Sequence, residues 1–74
     1  MHKINREQSE FLTAVGNVSR LKILISLWGS KKELNVYRMC QNTGLGRSAV
    51  NRHIKTLMEA KLVSRRIYGE IPLY

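Results

Sequence analysis

A mostly helical α+β fold, four helices with one short strand and a C-terminal β-hairpin, is what this 74-residue sequence predicts. Three observations carry that reading. Up to about residue 60 the apolar residues recur at intervals of three and four, the repeat of a helix surface. From Leu62 onward they approach the two-residue alternation of strands. Between the two regimes, Gly44-Leu45-Gly46 interrupts the helical part just before its most cationic stretch.

Each element has its own local signal. Asn5 followed by Gln8 resembles a capping box, and Phe11, Leu12 and Val15 supply an apolar side, predicting a first helix over about residues 5 to 15. Gly16 ends it. Asn17 then caps a second helix running to about Trp28. Val18, Leu21, Leu24, Ile25 and Trp28 follow helical spacing there, Ile23 and Leu27 widen the apolar surface, and a helix this apolar belongs at the centre. Gly29 and Ser30 close it, and Lys31-Lys32-Glu33 forms an exposed connection. Leu34-Asn35-Val36 predicts a short strand. Val36, Met39 and Cys40 give a third, short helix that stops at Gly44. A fourth helix runs from Arg47 to about Ala60, with Val50, Ile54 and Leu57 on one stripe. Leu62 to Ile67, a Tyr68-Gly69 turn and Glu70 to Tyr74 complete a hairpin, with Pro72 placing its strand at an edge.

Length and charge bound the function. The chain predicts one domain over residues 1–74 with one modest core, since a chain this small buries only about 60% of its unfolded surface. A large enclosed active site does not fit within it. No Asp occurs, no paired carboxylates stand at a plausible site, and no nucleophile and base form a recognisable arrangement, so catalysis is not expected. Thirteen Lys and Arg against five Glu give a formal charge of +8, which favours polyanions. DNA, RNA and anionic membrane surfaces all satisfy charge alone. Single-stranded RNA asks for exposed aromatic platforms and a membrane surface for a sustained basic amphipathic helix, and neither pattern is present. No run approaches a membrane span of roughly 18 to 20 apolar residues, and Met1-His2-Lys3 leads into polar residues rather than a signal peptide. With a single cysteine, the expectation is a reducing, cytoplasmic, DNA-associated location.

The fourth helix carries the chemistry. Arg47, Ser48, Asn51, Arg52 and Lys55 point away from its apolar stripe, and no carboxylate occurs from Leu34 through Met58 to oppose them. Arg matches guanine and Asn matches adenine through paired hydrogen bonds in a major groove. That assigns Asn51 and Arg52 to base edges, Arg47 to base or phosphate, and Ser48 and Lys55 to phosphate. In the hairpin, Arg65, Arg66 and Tyr68 are placed to enter a minor groove or brace phosphates, while Lys22, Arg38 and Lys61 add phosphate contacts. The expected partner is double-stranded DNA. The alternatives are a protein-interaction module whose basic face meets acidic protein, and a nonspecific architectural DNA binder.

These residues resemble the winged helix-turn-helix domains of ArsR-type and related prokaryotic repressors, over most of the chain. Asn17-Val18-Ser19-Arg20-Leu21-Lys22-Ile23-Leu24 is similar to the entry of that family's second helix. Gly44-Leu45-Gly46-Arg47-Ser48-Ala49-Val50-Asn51-Arg52-His53-Ile54-Lys55-Thr56-Leu57 is similar to its turn and recognition helix. Glu59-Ala60-Lys61-Leu62-Val63 is similar to its Glu-Ala-Gly-Leu-Val entry into the wing. The resemblance implies a recognition helix at about 47–60 in the major groove, a wing at about 62–74 on the adjacent groove or backbone, and regulation of transcription. A minimal domain of this kind also resembles small regulators of archaeal viruses and plasmids. Three departures stand out. Asn35 and Tyr37 occupy the positions of the Cys-x-Cys pair of metal-sensing members, so neither metal nor cofactor is expected. Lys61 replaces a Gly that normally adopts a left-handed conformation, at a cost of about 1 kcal/mol. The C-terminal helix many members use for dimerisation has no counterpart before Tyr74, so the usual dimer does not carry over whole.

The remaining residues are assigned to packing. Cys40, four residues before Gly44, is a small side chain where two helices cross, and His2 and His53 offer it no ligand spacing. Trp28, Phe11 and Tyr74 are expected in the core. Helix 1, through Ile4, Phe11 and Val15, is the expected homodimer surface, since such proteins read two half-sites one helical turn apart.

Overall fold

The computed structural model describes Lys3 and residues 5–74; His2 and Ile4 lie outside the described residues. The chain runs α1 (Arg6–Val15), α2 (Val18–Trp28), α3 (Val36–Thr43), α4 (Arg47–Glu59), β1 (Arg66–Tyr68) and β2 (Ile71–Leu73). Helix α2 is central as expected, packing against α1, α3 and α4. The core lies between these helices: Ala14, Ile23, Leu24, Leu34, Met39, Val50, Ile54 and Leu57 are buried.

Asparagine starts three of the helices. Asn5 Oδ1 accepts from Gln8 N (2.7 Å) while Asn5 N donates to Gln8 Oε1 (3.0 Å), completing the capping box. Asn17 and Asn35 accept from the amides of Arg20 (3.1 Å) and Arg38 (2.8 Å). Helix α1 ends where the Gly16 amide bonds the Leu12 carbonyl, and a Cβ on Gly16 would meet that oxygen at 2.8 Å. Gly44 ends α3 in the left-handed conformation (φ 75°), turning the chain into α4 within three residues.

The strand predicted at Leu34-Asn35-Val36 is reduced to one residue pair. Leu34 and Tyr74 exchange both backbone bonds, each 2.9 Å, as opposed residues of antiparallel strands do. Extending that register by two residues would set Val36 against Pro72, which has no N–H to donate. The Asn35 cap meanwhile commits Val36 to α3. Leu34 is therefore one rung of a third strand.

The hairpin also differs by a residue from its expected register. Its pairs are Arg66 with Leu73, Ile67 with Pro72 and Tyr68 with Ile71, so Tyr68 is in the strand and Gly69-Glu70 makes the turn. Gly69 takes φ 63°, the positive φ a two-residue hairpin needs at its first central position. Leu62 and Val63, expected in a strand, are half-buried and pack against the helical core instead. Continuing the register sets Arg65 opposite Tyr74, whose backbone groups bond Leu34 instead.

Two aromatics expected in the core are outside it. Trp28 is 70% and Phe11 47% exposed, whereas Tyr74 packs against the core. Helix α2 buries Ile23 and Leu24, leaving Val18, Leu21, Ile25 and Trp28 exposed on a neighbouring arc of about 80° at 3.6 residues per turn. Periodicity marked both arcs as apolar, but the domain covers only one.

Candidate nucleic-acid interface

Helix α4 divides its side chains sharply. Val50, His53, Ile54 and Leu57 are buried, while Arg47, Ser48, Asn51, Arg52 and Lys55 are all exposed. At 3.6 residues per turn the five exposed residues fit an arc of about 140°, turned away from the buried arc. The structure thus brings these five predicted residues onto one surface. Each of the other three helices begins with an asparagine side-chain cap; α4 begins at Gly46 with none. Its first-turn amides stay available to an anion at the positive end of the helix dipole.

Helix α4 ends in a turn that aims the wing. The Lys61 amide bonds the Met58 carbonyl (2.9 Å) and the Leu62 amide bonds the Leu57 carbonyl (3.0 Å), the paired bonds of a Schellman motif. Lys61 holds the left-handed position at φ 61°, as its alignment with a family glycine implied. Its side chain is exposed beside the wing.

The other predicted residues fall in less uniform settings. Arg38 is exposed on α3 and Lys22 on α2. Arg65 and Tyr68 are exposed on the hairpin, as is Arg66. Arg66, however, is bonded to Glu33 of the α2–α3 connection, with Nε 3.0 and 3.1 Å from the two carboxylate oxygens. That ion pair lowers the Glu33 pKa and raises that of Arg66, the direct hydrogen bond being the main cause in each. The wing therefore presents one cation already neutralised and one, Arg65, that has no ion-pair partner among the described residues.

Sequence reasoning passed over Tyr37. Its ring is 70% exposed at the start of α3, with its hydroxyl accepting from Gln41 Nε2 at 3.2 Å. Together with Arg47, Asn51 and Glu70 it lines a groove of about 690 Å³ between α3, the start of α4 and the hairpin. The i, i+4 spacing of Tyr37 and Gln41 was visible, but not the groove that gives it meaning. Cys40 lines the same groove and packs against the core, in keeping with its expected packing role. No three or more His, Cys, Asp or Glu side chains cluster to hold a metal among the described residues.

Comparison with known proteins places this arrangement. The description "Bacterial regulatory protein, arsR family" matches residues 17–65, from the cap of α2 through α4 to the approach of the wing. NolR from Sinorhizobium fredii is similar over 100% of this chain and 79% of its own, at 32% identity and a TM-score of 0.79. HlyU from Vibrio cholerae N16961 is similar over 100% of this chain and 78% of its own, at 30% identity and a TM-score of 0.83. No curated protein sequence matches the chain. With four helices, a cationic fourth helix and a following two-stranded wing, the chain is a DNA-binding transcriptional regulator and belongs to the ArsR family of bacterial regulatory proteins.

Proposed function

We propose that this regulator reads specific double-stranded DNA, with α4 in a major groove and the wing on the adjacent groove or backbone, and controls transcription by occupying a promoter. The observation that carries the reading is the outer arc of α4. It sets Asn51 and Arg52 beside Arg47, Ser48 and Lys55, all exposed, on a helix whose opposite side is locked into the core. Asn51 and Arg52 address base edges, Arg47 base or phosphate, and Ser48 and Lys55 phosphate. Arg38, Lys61, Arg65 and Tyr68 extend the contact to the flanking backbone. Its place of action is the cytoplasmic nucleoid, and it needs no cofactor.

Two copies working together fit the half-site logic of such readers. Phe11 of the predicted dimer surface is exposed, Ile4 lies outside the described residues, and Val15 turns partly inward against the core. The pairing surface we assign is Phe11 and Leu12 of α1 with Val18, Leu21, Ile25 and Trp28 of α2, the large exposed apolar side chains of the first two helices.

The test is fluorescence-anisotropy binding to a random-pool duplex across a salt series, with sequencing of the bound fraction. Roughly five phosphate contacts per protomer give an expected slope of log affinity against log salt of about −4.5. An enriched motif with that slope supports the reading. Steep dependence without enrichment means a nonspecific architectural binder, and no binding at low salt means a protein-interaction module.

A further inference from the structure

One buried titratable side chain on the recognition helix takes no part in the outward-facing surface. His53 is 8% exposed and sits on the inner arc of α4. Its Nδ1 lies 3.3 Å from Nη1 of Arg20 on α2. The same guanidinium donates from Nε to the Ala14 carbonyl (2.7 Å) and from Nη2 to the Thr13 carbonyl (2.8 Å). Both carbonyls are in the last turn of α1, where intrahelical donors run out. A single arginine thus joins the end of α1, the start of α2 and the middle of α4.

The chemistry of the joint dictates the state of the histidine. A guanidinium carries only donors and keeps its charge at any pH at which the protein folds. Nδ1 of His53 must therefore accept, which puts the single proton of the neutral ring on Nε2. A doubly protonated ring has no acceptor left and would set a second positive charge against Arg20. The charged groups acting on the ring are Arg20 from α2 and Arg52 beside it on α4. Helix α1 contributes the Thr13 and Ala14 carbonyls, both already bonded by Arg20. Glu10 of α1 and Glu59 of α4 line a hollow with Thr13 and Thr56, and neither hydrogen-bonds the imidazole. Burial first, and then the two arginines, push the His53 pKa below its usual 6.5.

We propose that Arg20 and His53 are positioning residues for DNA binding: the guanidinium sets the recognition helix against the end of α1 through a contact that only a neutral imidazole can make, so protonating His53 releases the helix and weakens DNA binding. The proposal rests on α4 being the DNA-reading helix. The direction follows from linkage. The seated helix holds the His53 pKa down, and a released helix lets it return toward 6.5. At pH above 6.5 the ring is neutral in both and the contact is complete. As pH falls below 6.5, protons bind the released form in preference, and affinity drops by up to about tenfold per pH unit for one proton. Ordinary electrostatics runs the other way, because added positive charge strengthens binding to a polyanion. A fall in acid is thus a distinctive signature.

The experiment measures affinity of the full chain for a labelled duplex selected at neutral pH, at constant salt, from about pH 8 down to about pH 5. His53→Asn is the comparison, because its Oδ1 stands near the position of Nδ1, accepts from Arg20 and does not titrate. The other histidine, His2, is common to both proteins and cancels. The wild type should lose affinity as pH falls below 6.5, the loss levelling off once pH passes below the lowered His53 pKa, while His53→Asn loses little. Imidazole 15N NMR of the wild type, which needs no variant, should find Nδ1 unprotonated at neutral pH. Superimposable pH profiles, or a proton on Nδ1, would overturn the proposal and leave the DNA-reading surface standing. No binding by the wild type at any pH would overturn that surface and this proposal together.

Discussion

Arg66 of the wing holds both carboxylate oxygens of Glu33, 33 residues earlier in the chain, and its guanidinium carbon lies 5.7 Å from the centre of the Tyr68 ring. With the Leu34–Tyr74 backbone pair, this contact fixes the hairpin to the α2–α3 connection. Three-residue strands need such anchors, since an isolated two-stranded hairpin is at best marginally stable in water.

The pair makes the two wing arginines unequal. Arg65→Gln should reduce the steepness of the salt dependence by about 0.9, the release of roughly one counterion. Arg66→Gln should change it much less, because its charge is already opposed. Glu33→Gln should steepen it by freeing Arg66. Equal slopes for the two arginine variants would mean that DNA draws Arg66 away from Glu33. The pair should also persist into acid: with the Glu33 pKa depressed, its contribution to stability is complete above pH 4.5 and is lost as pH falls through the lowered value.

Asn51→Ala should erode discrimination between target and scrambled duplex by about 1–3 kcal/mol, the range for a bidentate base contact. Lys55→Gln should weaken both duplexes alike. Competition titrations against each duplex separate the two behaviours, and uniform weakening by Asn51→Ala would remove it from the base-reading set.

Lys61→Gly should stabilise the domain by about 1 kcal/mol, because it removes the left-handed strain of a residue with a Cβ. Thermal unfolding measures that gain. The same change removes one positive charge beside the wing, so DNA affinity at low salt should fall as the melting temperature rises. A variant no more stable than the wild type would mean that the lysine stem recovers the strain through packing.

Replacing Ile25 and Trp28 together by Ser should leave the fold intact, as both are exposed, and shift the protein to monomer in analytical ultracentrifugation. A wild-type monomer at micromolar concentration, with DNA and without, would exclude the pairing surface.

Local signals were legible in the sequence, and non-local ones were not. The Asn5 and Asn17 caps, the Gly44 turn and the left-handed Lys61 position each depend on residues within about four positions, and each lies where expected, whereas Asn35, read as part of a strand, caps α3 instead. The strand at residues 34–36 misled because it hinged on Pro72, far along the chain. The hairpin slipped by one because Gly69 suits the first turn position as well as the second. Trp28 and Phe11 were misassigned because helical periodicity reports that a face is apolar, not that the same domain covers it. At the candidate interface, which side of α4 faces out followed from spacing alone. That Glu33 holds Arg66, and that Arg20 meets His53, both across 33 residues, are contacts that no local pattern announces.

Helix α1 buries only Ala14 and is otherwise held at its ends, by the Asn5 capping box and the Arg20 guanidinium. Ten residues are too few for a helix to persist alone in water. Its amides should therefore exchange hydrogen far faster than those of α2 and α4, through an opening that leaves the rest of the domain folded. A partner covering α1 would supply the ordering of those residues as well as the contact. Occupancy of that surface would then be a thermodynamic input in its own right, and the abundance of a partner, by mass action, would set how often residues 5–16 are structured.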